Sequence, residues 1–455
     1  MRVAIVGAGY AGKVQAVRLC DLGHSVILIE NDRDRYTRLA VQDFSGLKDP
    51  GVNEGLRRHR GSLLTVSDKL DDVGGCSIVF LCISTPARLD DFLDISPLEA
   101  MLQQIVNLLA QRTNLPAVPI VIKSNVPVGT CRRLRDRLLA VGAQSSTFAI
   151  IINPDFFSAG SDITDVNNPD RLVIGVDQED CQSSQMLIEL YRCNSNHIPV
   201  AVMSWESAEL VKLASNAFLA AKVSFANMIA DVCEQVGADS IDVLGAVGAD
   251  RRIGAHFLKP GIGWGGVGLS NGLNTLIHEL RLNKLSTTML DAVRNINRER
   301  PRQFVLTMKA VLDGLRGRRI GIWGVSYKGG TDDARDSPAI SVVNWLLSEG
   351  AVVRAYDEPM PSLIQTFNLE LVSDPIGALR EAEALCILND NPQFAELLWS
   401  PACKEAMRSP VIFDGRNLYD PKEIGAFGYT YLSIGRRSSA SSRPAQRVMD
   451  QTYSE

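Results

Sequence analysis

No block of lysine and arginine interrupts this chain, and its formal net charge is -5. A nucleic-acid partner is therefore not expected. Histidine is scarce, five in all at 24, 59, 197, 256 and 278, without the spacing of metal ligands. The cysteines at 20, 76, 82, 131, 181, 193, 233, 386 and 403 form no CxxC pair, and nine is an odd number. They read as reduced thiols of a cytoplasmic protein. No uninterrupted apolar run reaches the roughly 18 to 20 residues of a membrane span, so no membrane partner is expected. A strand begins within two residues of Met1, which leaves no room for a leader peptide. What remains is a globular composition, 45% hydrophobic and 22% charged. A length of 455 residues suits about two or three domains.

Arg2–Val6 reads as a short apolar strand, followed by Gly7-Ala8-Gly9-Tyr10-Ala11-Gly12 and the amphipathic stretch Lys13–Leu22. Gly23 ends that helix, and Ser25–Glu30 is a second strand closing on an acid. This order is that of a dinucleotide-binding unit. The glycines allow a tight turn and close approach of pyrophosphate to a helix N-terminus, and Glu30 can accept from ribose hydroxyls. An acid at 30, with no basic residue in that place, favours NAD over NADP. Later strands at Ser77–Ile83, Ala117–Ile122 and Phe148–Ile152 end in Ser84-Thr85-Pro86, Lys123–Thr130 and Asn153-Pro154-Asp155. Small polar residues at those ends would line the carboxyl edge of a parallel sheet, where ligands bind.

Ser204–Val236 contains neither Gly nor Pro and repeats apolar residues every three or four positions. That spacing predicts one long helix, capped by Ser204, stopped by Gly237 and suited to burial in a dimer. Lys212 and Asn216 lie one turn apart on it. A second α/β unit begins near Arg318, with a strand Arg319–Trp323 leading to Gly324–Lys328. A helix Ser337–Ser348 and strands Val352–Tyr356, Leu385–Leu388 and Pro410–Phe413 follow. The expected fold class is α/β: two Rossmann-like doubly wound domains joined by a long central helix and a helical dimerisation core. The expected domains are 1–200, 201–300 and 301–435, with a disordered Ser/Arg/Gln-rich tail at 436–455.

Placed on these elements, a series of motifs resembles the UDP-glucose/GDP-mannose dehydrogenase family over about residues 1–425. They are Gly7–Gly12, Ser124–Thr130, Asn153–Gly160 with Asn168-Pro169-Asp170-Arg171, Lys212–Phe218 and Asp250–Gly254. Phe257–Gly266, Tyr327-Lys328 with Thr331-Asp332-Asp333 and Arg335, and Asp414-Gly415-Arg416 complete the series. The resemblance implies NAD in the first domain, the nucleotide of a sugar nucleotide in the last, and a homodimer. By position it assigns NAD contacts to Gly7, Gly9, Tyr10, Ala11, Gly12, Glu30, Arg35, Thr85, Ser124, Asn125, Val126 and Arg335. It assigns substrate contacts to Lys212, Asn216, Arg252, Phe257, Leu258, Lys259, Gly261, Gly263, Tyr327, Lys328 and Arg416. Enzymes of this type oxidise a sugar alcohol to an acid by two hydride transfers, with a cysteine carrying the thioester.

The departures from the family pattern cluster. After Gly266 the family continues Ser-Cys-Phe-Pro-Lys-Asp, whereas this chain has Val267-Gly268-Leu269-Ser270-Asn271-Gly272. Gly268 stands at the cysteine position and Gly272 at the acid position. Asp155 replaces a glutamate, Ala159 another, and Asn125 a threonine. Cys131 and the flanking His256 and His278 are poorly placed to substitute. The reading that follows is one hydride transfer on a nucleotide sugar, or oxidation followed by re-reduction. Lys212 would be the base, Asn216 would orient the oxygen, and Asp155 would be a second acid-base candidate. The alternatives are a four-electron oxidation through an aldehyde hydrate, and a non-catalytic NAD or sugar-nucleotide binder.

Overall fold

The computed structural model describes residues 1–41, 50–88, 92–111, 116–156, 169–177, 181–192, 198–361 and 369–437. The readings placed on 157–160 with Ala159, Asn168, Cys193, His197 and 438–455 fall outside the described residues. The chain forms two compact units. One is Met1–Ser215 with Asn274–Asn283, and the other is Asn216–Leu273 with Lys284–Glu455.

The first unit holds an eight-stranded sheet: β1 (Arg2–Val6), β2 (Ser25–Ile29), β3 (Leu64–Ser67), β4 (Ile78–Leu81), β5 (Val118–Ile122), β6 (Phe148–Ile152), β7 (Leu172–Val176) and β8 (Val200–Ser204). Their order is β3-β2-β1-β4-β5-β6-β7-β8. Every pair is parallel except β6 with β7. Side chains alternate across the sheet, so Val3 and Ile5 join one core with Val14 and Leu19, while Ala4 and Val6 join another with Leu98 and Leu102. Helix Tyr10–Asp21 belongs to the first of these layers and helix Ser96–Leu109 to the second. Both faces are covered, which is why the strands are apolar almost throughout. Strand order reverses at β1, between β2 and β4, and the open carboxyl edge there is a ligand site by construction.

The second unit holds β9 (Arg319–Trp323), β10 (Val352–Tyr356), β11 (Glu370–Leu371), β12 (Ala384–Ile387), β13 (Val411–Asp414) and β14 (Thr430–Ser433). All pairs are parallel, in the order β11-β10-β9-β12-β13-β14. Ile320 and Ile322 pack with Phe304, Met308 and Val342, and Trp323 packs on the opposite face with Leu385 and Phe394.

The long helix runs Trp205–Val236, about 48 Å at the usual rise. The Ser204 hydroxyl accepts from the Ser207 amide at 3.3 Å, and Gly237 leaves the helix with a φ of 74°. Phe218, Phe225, Met228, Val232 and Val236 are exposed along one side. Among the described residues this one helix is long and apolar enough to cross a membrane by length and composition, although no uninterrupted apolar run within it reaches that length. One sequence reading needs correction here. Arg436 was assigned to a disordered tail, but its guanidinium bonds to the Asp239 carboxylate at 2.9 Å and to the Tyr419 carbonyl at 3.0 Å.

Candidate active site

At the switch point, Gly7 turns with a φ of 98°, and a side chain on Gly12 would collide with the Gly7 carbonyl. A Cβ on Gly9, by contrast, would meet nothing within 4 Å. The turn is therefore packed beneath and open in front, as a pyrophosphate requires, and the positive end of helix Tyr10–Asp21 faces it. The Glu30 carboxylate accepts from the Ala8 amide at 3.0 Å and the Asp32 amide at 2.9 Å, which fixes it beside the turn. The first unit fits a dinucleotide on these grounds. Arg35 is exposed, and it, Arg38 and Glu30 all act electrostatically on Lys13, whose pKa burial lowers. The acid is thus not without basic neighbours, which its place in the sequence did not reveal.

Thr85 and Ser124 stitch adjacent strand ends. Thr85 Oγ1 donates to the Asn125 carbonyl at 2.8 Å, and Ser124 Oγ donates to the Ile83 carbonyl at 2.7 Å. Val126 is buried and Asn125 half-buried.

A charged corner forms where β5, β6 and β7 meet the start of the long helix. Lys123, directly after β5, is buried, and its ammonium group pairs with Asp155 and donates to Asn153 Oδ1 at 3.0 Å. Burial alone would lower the Lys123 pKa, but Asp155 and Tyr191 more than offset it and the net shift is upward. The other carboxylate oxygen of Asp155 is buried and has no hydrogen-bond partner among the described residues. Lys212 Nζ lies 5.3 Å from the Phe156 ring centre, and the Arg171 guanidinium lies 4.2 Å from the same ring. Arg171 also donates to Ser215 Oγ at 3.2 Å. Burial lowers the Lys212 pKa to about 8; Asp155 opposes this, and Lys123 and Arg171 add to it. A lysine near neutrality can take a proton from an alcohol, and the adjacent cations would stabilise the developing alkoxide.

In the second unit the loop 257–266 is pinned by side-chain amides. Asn227 Oδ1 accepts from the Gly261 amide at 2.8 Å, and Asn297 bonds both the amide and the carbonyl of Trp264 at 2.8 and 2.9 Å. Leu258 is buried, while Phe257 is partly exposed with a φ of 63°. Lys259 is exposed. Arg416 donates to the carbonyls of Leu388 at 2.9 Å, Gly263 at 3.1 Å and Tyr327 at 3.4 Å. It braces backbone carbonyls rather than presenting a free fork. Lys328 contributes to the field that, with Arg416, lowers the Asp390 pKa against the opposing effect of burial. Arg335 pairs with Asp333 at 2.7 Å, and the exposed Arg252 pairs with Asp250 at 2.6 Å. Neither is brought to another proposed site residue of its own unit by these bonds.

Gly268 lies in the first turn of helix Val267–Leu282, exposed, and a Cβ there would meet nothing within 4 Å. Gly272, one turn on, is buried, and a Cβ there would lie 2.5 Å from the Asn216 Cβ. Asn216 Nδ2 donates to the Gly268 carbonyl at 2.8 Å. The Asn216 amide thus holds the first turn of that helix. Cys131 is excluded as a substitute nucleophile, because burial and the Glu209 carboxylate push its thiol well above the ordinary value. His278 packs on the Phe92 ring at 4.6 Å, and His256 is exposed. Sequence reasoning gave no role to Lys123 or Arg171. The signal was a lysine closing the all-apolar β5, a costly burial unless it has a partner.

Residues 1–194 match the NAD binding domain of the UDP-glucose/GDP-mannose dehydrogenase family, 206–299 its central domain and 321–421 its UDP binding domain. The UDP-glucose 6-dehydrogenase of Rhizobium meliloti is 34% identical over 446 residues, covering 96% of this chain and 100% of that protein. That of Pseudomonas aeruginosa is 33% identical over 451 residues, with 96% and 98% covered. The structure of a UDP-glucose dehydrogenase from Pyrobaculum islandicum is similar at a TM-score of 0.82 and 32% identity, covering 91% of this chain and 94% of that one. With the glycine turn, Glu30 and the Lys212 corner already in place, these matches show that the chain belongs to the UDP-glucose/GDP-mannose dehydrogenase family, as an NAD-dependent nucleotide-sugar oxidoreductase.

Proposed function

We propose that this protein oxidises a carbinol of a nucleotide sugar by one hydride transfer, or oxidises and re-reduces it, without a cysteine thioester. The observation that carries the reading is the combination of an equipped base with a vacant nucleophile position. Lys212 is held near neutrality by its surroundings, and Gly268 offers no side chain where the family places its thiol. Bound NAD supplies the acceptor for the carbinol hydrogen and its electron pair. Lys212 takes the hydroxyl proton, Arg171 and Lys123 provide positive charge for the alkoxide, and Asn216 orients the helix turn that carries Gly268. In this reading Glu30 binds the adenosine ribose, and Thr85, Ser124, Asn125 and Val126 shape the wall of the cofactor site. The loop 257–263, Tyr327 and Lys328 meet the sugar nucleotide.

UDP-glucose is the first substrate to try, because relatives covering 96% of this chain are UDP-glucose 6-dehydrogenases. The deciding experiment counts NADH formed per substrate consumed and identifies the product by mass spectrometry. One NADH with a carbonyl product, or an epimer with none, supports the reading, and two with a uronic acid overturn it. A second reading rests on the unpartnered oxygen of Asp155, which could activate water for a non-covalent second oxidation. It requires two NADH and no covalent adduct. A chain that binds NAD and sugar nucleotide but changes neither is a binding protein.

The exposed apolar side of the long helix, Phe218 to Val236, is proposed as a homodimer surface in a cytoplasmic protein with neither membrane nor nucleic-acid partners. Light scattering that finds only monomers at micromolar concentration would refute the dimer.

A further inference from the structure

Beyond the positive charge it lends the corner, Lys123 is held more elaborately than Lys212, the other ammonium group there. Besides its pairing with Asp155, it donates to Asn153 Oδ1, and the Tyr191 hydroxyl donates to the same oxygen at 3.0 Å. Asn153 is fixed in turn by donation to the Val173 carbonyl at 2.7 Å. Gln15, on the helix behind the glycine turn, donates to the Tyr191 hydroxyl at 2.9 Å. A buried polar chain therefore runs from the cofactor-binding helix through Tyr191 and Asn153 to Lys123, and ends on the carboxylate beside Lys212. Such chains are costly to bury, and each bond in them fixes the geometry of the groups it joins.

We propose that Lys123 is a positioning residue: it engages Asp155 so that this carboxylate does not become the ion-pair partner of Lys212. The groups acting on Lys212 are Asp155 after β6, Lys123 after β5 and Arg171 before β7. Asp155 is the one among them that favours the protonated form, and among the described residues its ion-pair partner is Lys123. Removing Lys123 takes away a repelling cation and frees an attracting anion. Both changes stabilise protonated Lys212, so their signs agree.

The inference rests on Lys212 being the base only for its consequence in catalysis, and its test needs no turnover. Full-length protein is labelled with limiting acetic anhydride across pH, and the Lys212 peptide is read by mass spectrometry. Wild type should reach half-maximal labelling near pH 8. Lys123→Met should move that point up by about 1 to 3 pH units, the usual effect of an adjacent opposite charge, and Lys123→Arg should restore most of it. Should Lys123→Met not fold, Asp155→Asn reads the pull of the carboxylate on Lys212, and the Lys123→Met/Asp155→Asn pair reads the direct repulsion by Lys123. The first must lower the point, and the second must raise it again. An unmoved Lys212 in the variants that fold overturns the proposal. If the shift occurs while the pH-rate profile stays put, the positioning stands and Lys212 is not the base.

Discussion

The corner around Lys212 and the loop leading to Gly268 solve different problems with opposite materials. In the first unit three cations and one carboxylate crowd together, and burial, adjusted by their fields, sets a proton affinity. In the second, glycines and neutral amides fix a backbone, and the one arginine involved is committed to carbonyl oxygens. One region works by charge and the other by shape. Charge acts across several ångströms and tolerates small displacements, whereas a packed glycine tolerates not even a methyl group. Variants of the two regions should therefore fail in different ways.

The largest effect should come from charge. Lys212→Ala should reduce turnover by about 100- to 10,000-fold, the scale of a general base, while leaving the folding transition little changed. The pH dependence has a definite sign. Lys212 acts as a base only when neutral, and its lowered pKa places that form above about pH 8. Turnover should rise through that region and fall about tenfold per pH unit below it. A pH-independent rate between 6 and 9 would refute this. Next comes Glu30→Ala, which should weaken NAD by about 1 to 3 kcal/mol in calorimetric titration. Part of that loss would arise because the Ala8 and Asp32 amides lose their acceptor. A wild-type preference for NADP would show that Lys13, Arg35 and Arg38 outweigh the acid.

Shape should fail through stability. Gly272→Ala places a methyl 2.5 Å from the Asn216 Cβ, an atom fixed to backbone that cannot swing aside. Overpacking of this kind costs about 1 to 3 kcal/mol, readable by urea unfolding. Adding Asn216→Ala should give no relief, because the colliding atom remains, and full recovery in that double variant would disprove the packing.

How much of this was legible in the sequence follows the same division. The glycine turn, the acid closing β2 and the long helix rest on local order, and β1, β6, β9 and β10 appear at the positions their residues indicate. The end of β10 repeats the grammar of β2, since Asp357 closes it as Glu30 follows the other. Only the structure shows that Asp357 is filled by its own unit, accepting from the Val325 and Ser326 amides, the Ser326 hydroxyl and the Asn389 amide. The strands β3, β7, β8, β11 and β14 are not read from the sequence, each being five residues or fewer with no recognised motif at its carboxyl end. The pairing of Lys123 with Asp155 joins the ends of neighbouring strands far apart in sequence, and the contact of Asn216 with Gly272 joins two helices. Neither kind of adjacency leaves a mark on local spacing.

Gly268→Cys should have the smallest effect, although under the proposed reading it supplies the thiol that the family pattern has at this place. The position is exposed and a Cβ meets nothing within 4 Å, so the variant should fold with a stability within about 0.5 kcal/mol of wild type. A thiol alone does not make a thioester enzyme. The aldehyde must be delivered to it, and water must later be activated, in a turn where Gly272 supplies no carboxylate and Asn216 occupies its space. Product analysis of the variant should therefore show no uronic acid, and protein denatured during turnover should carry no acyl mass. Wild type should give the same negative result. An acyl adduct on Cys-substituted protein, together with acid formation, would mean that the rest of the four-electron machinery is intact and that one side chain separates the two chemistries.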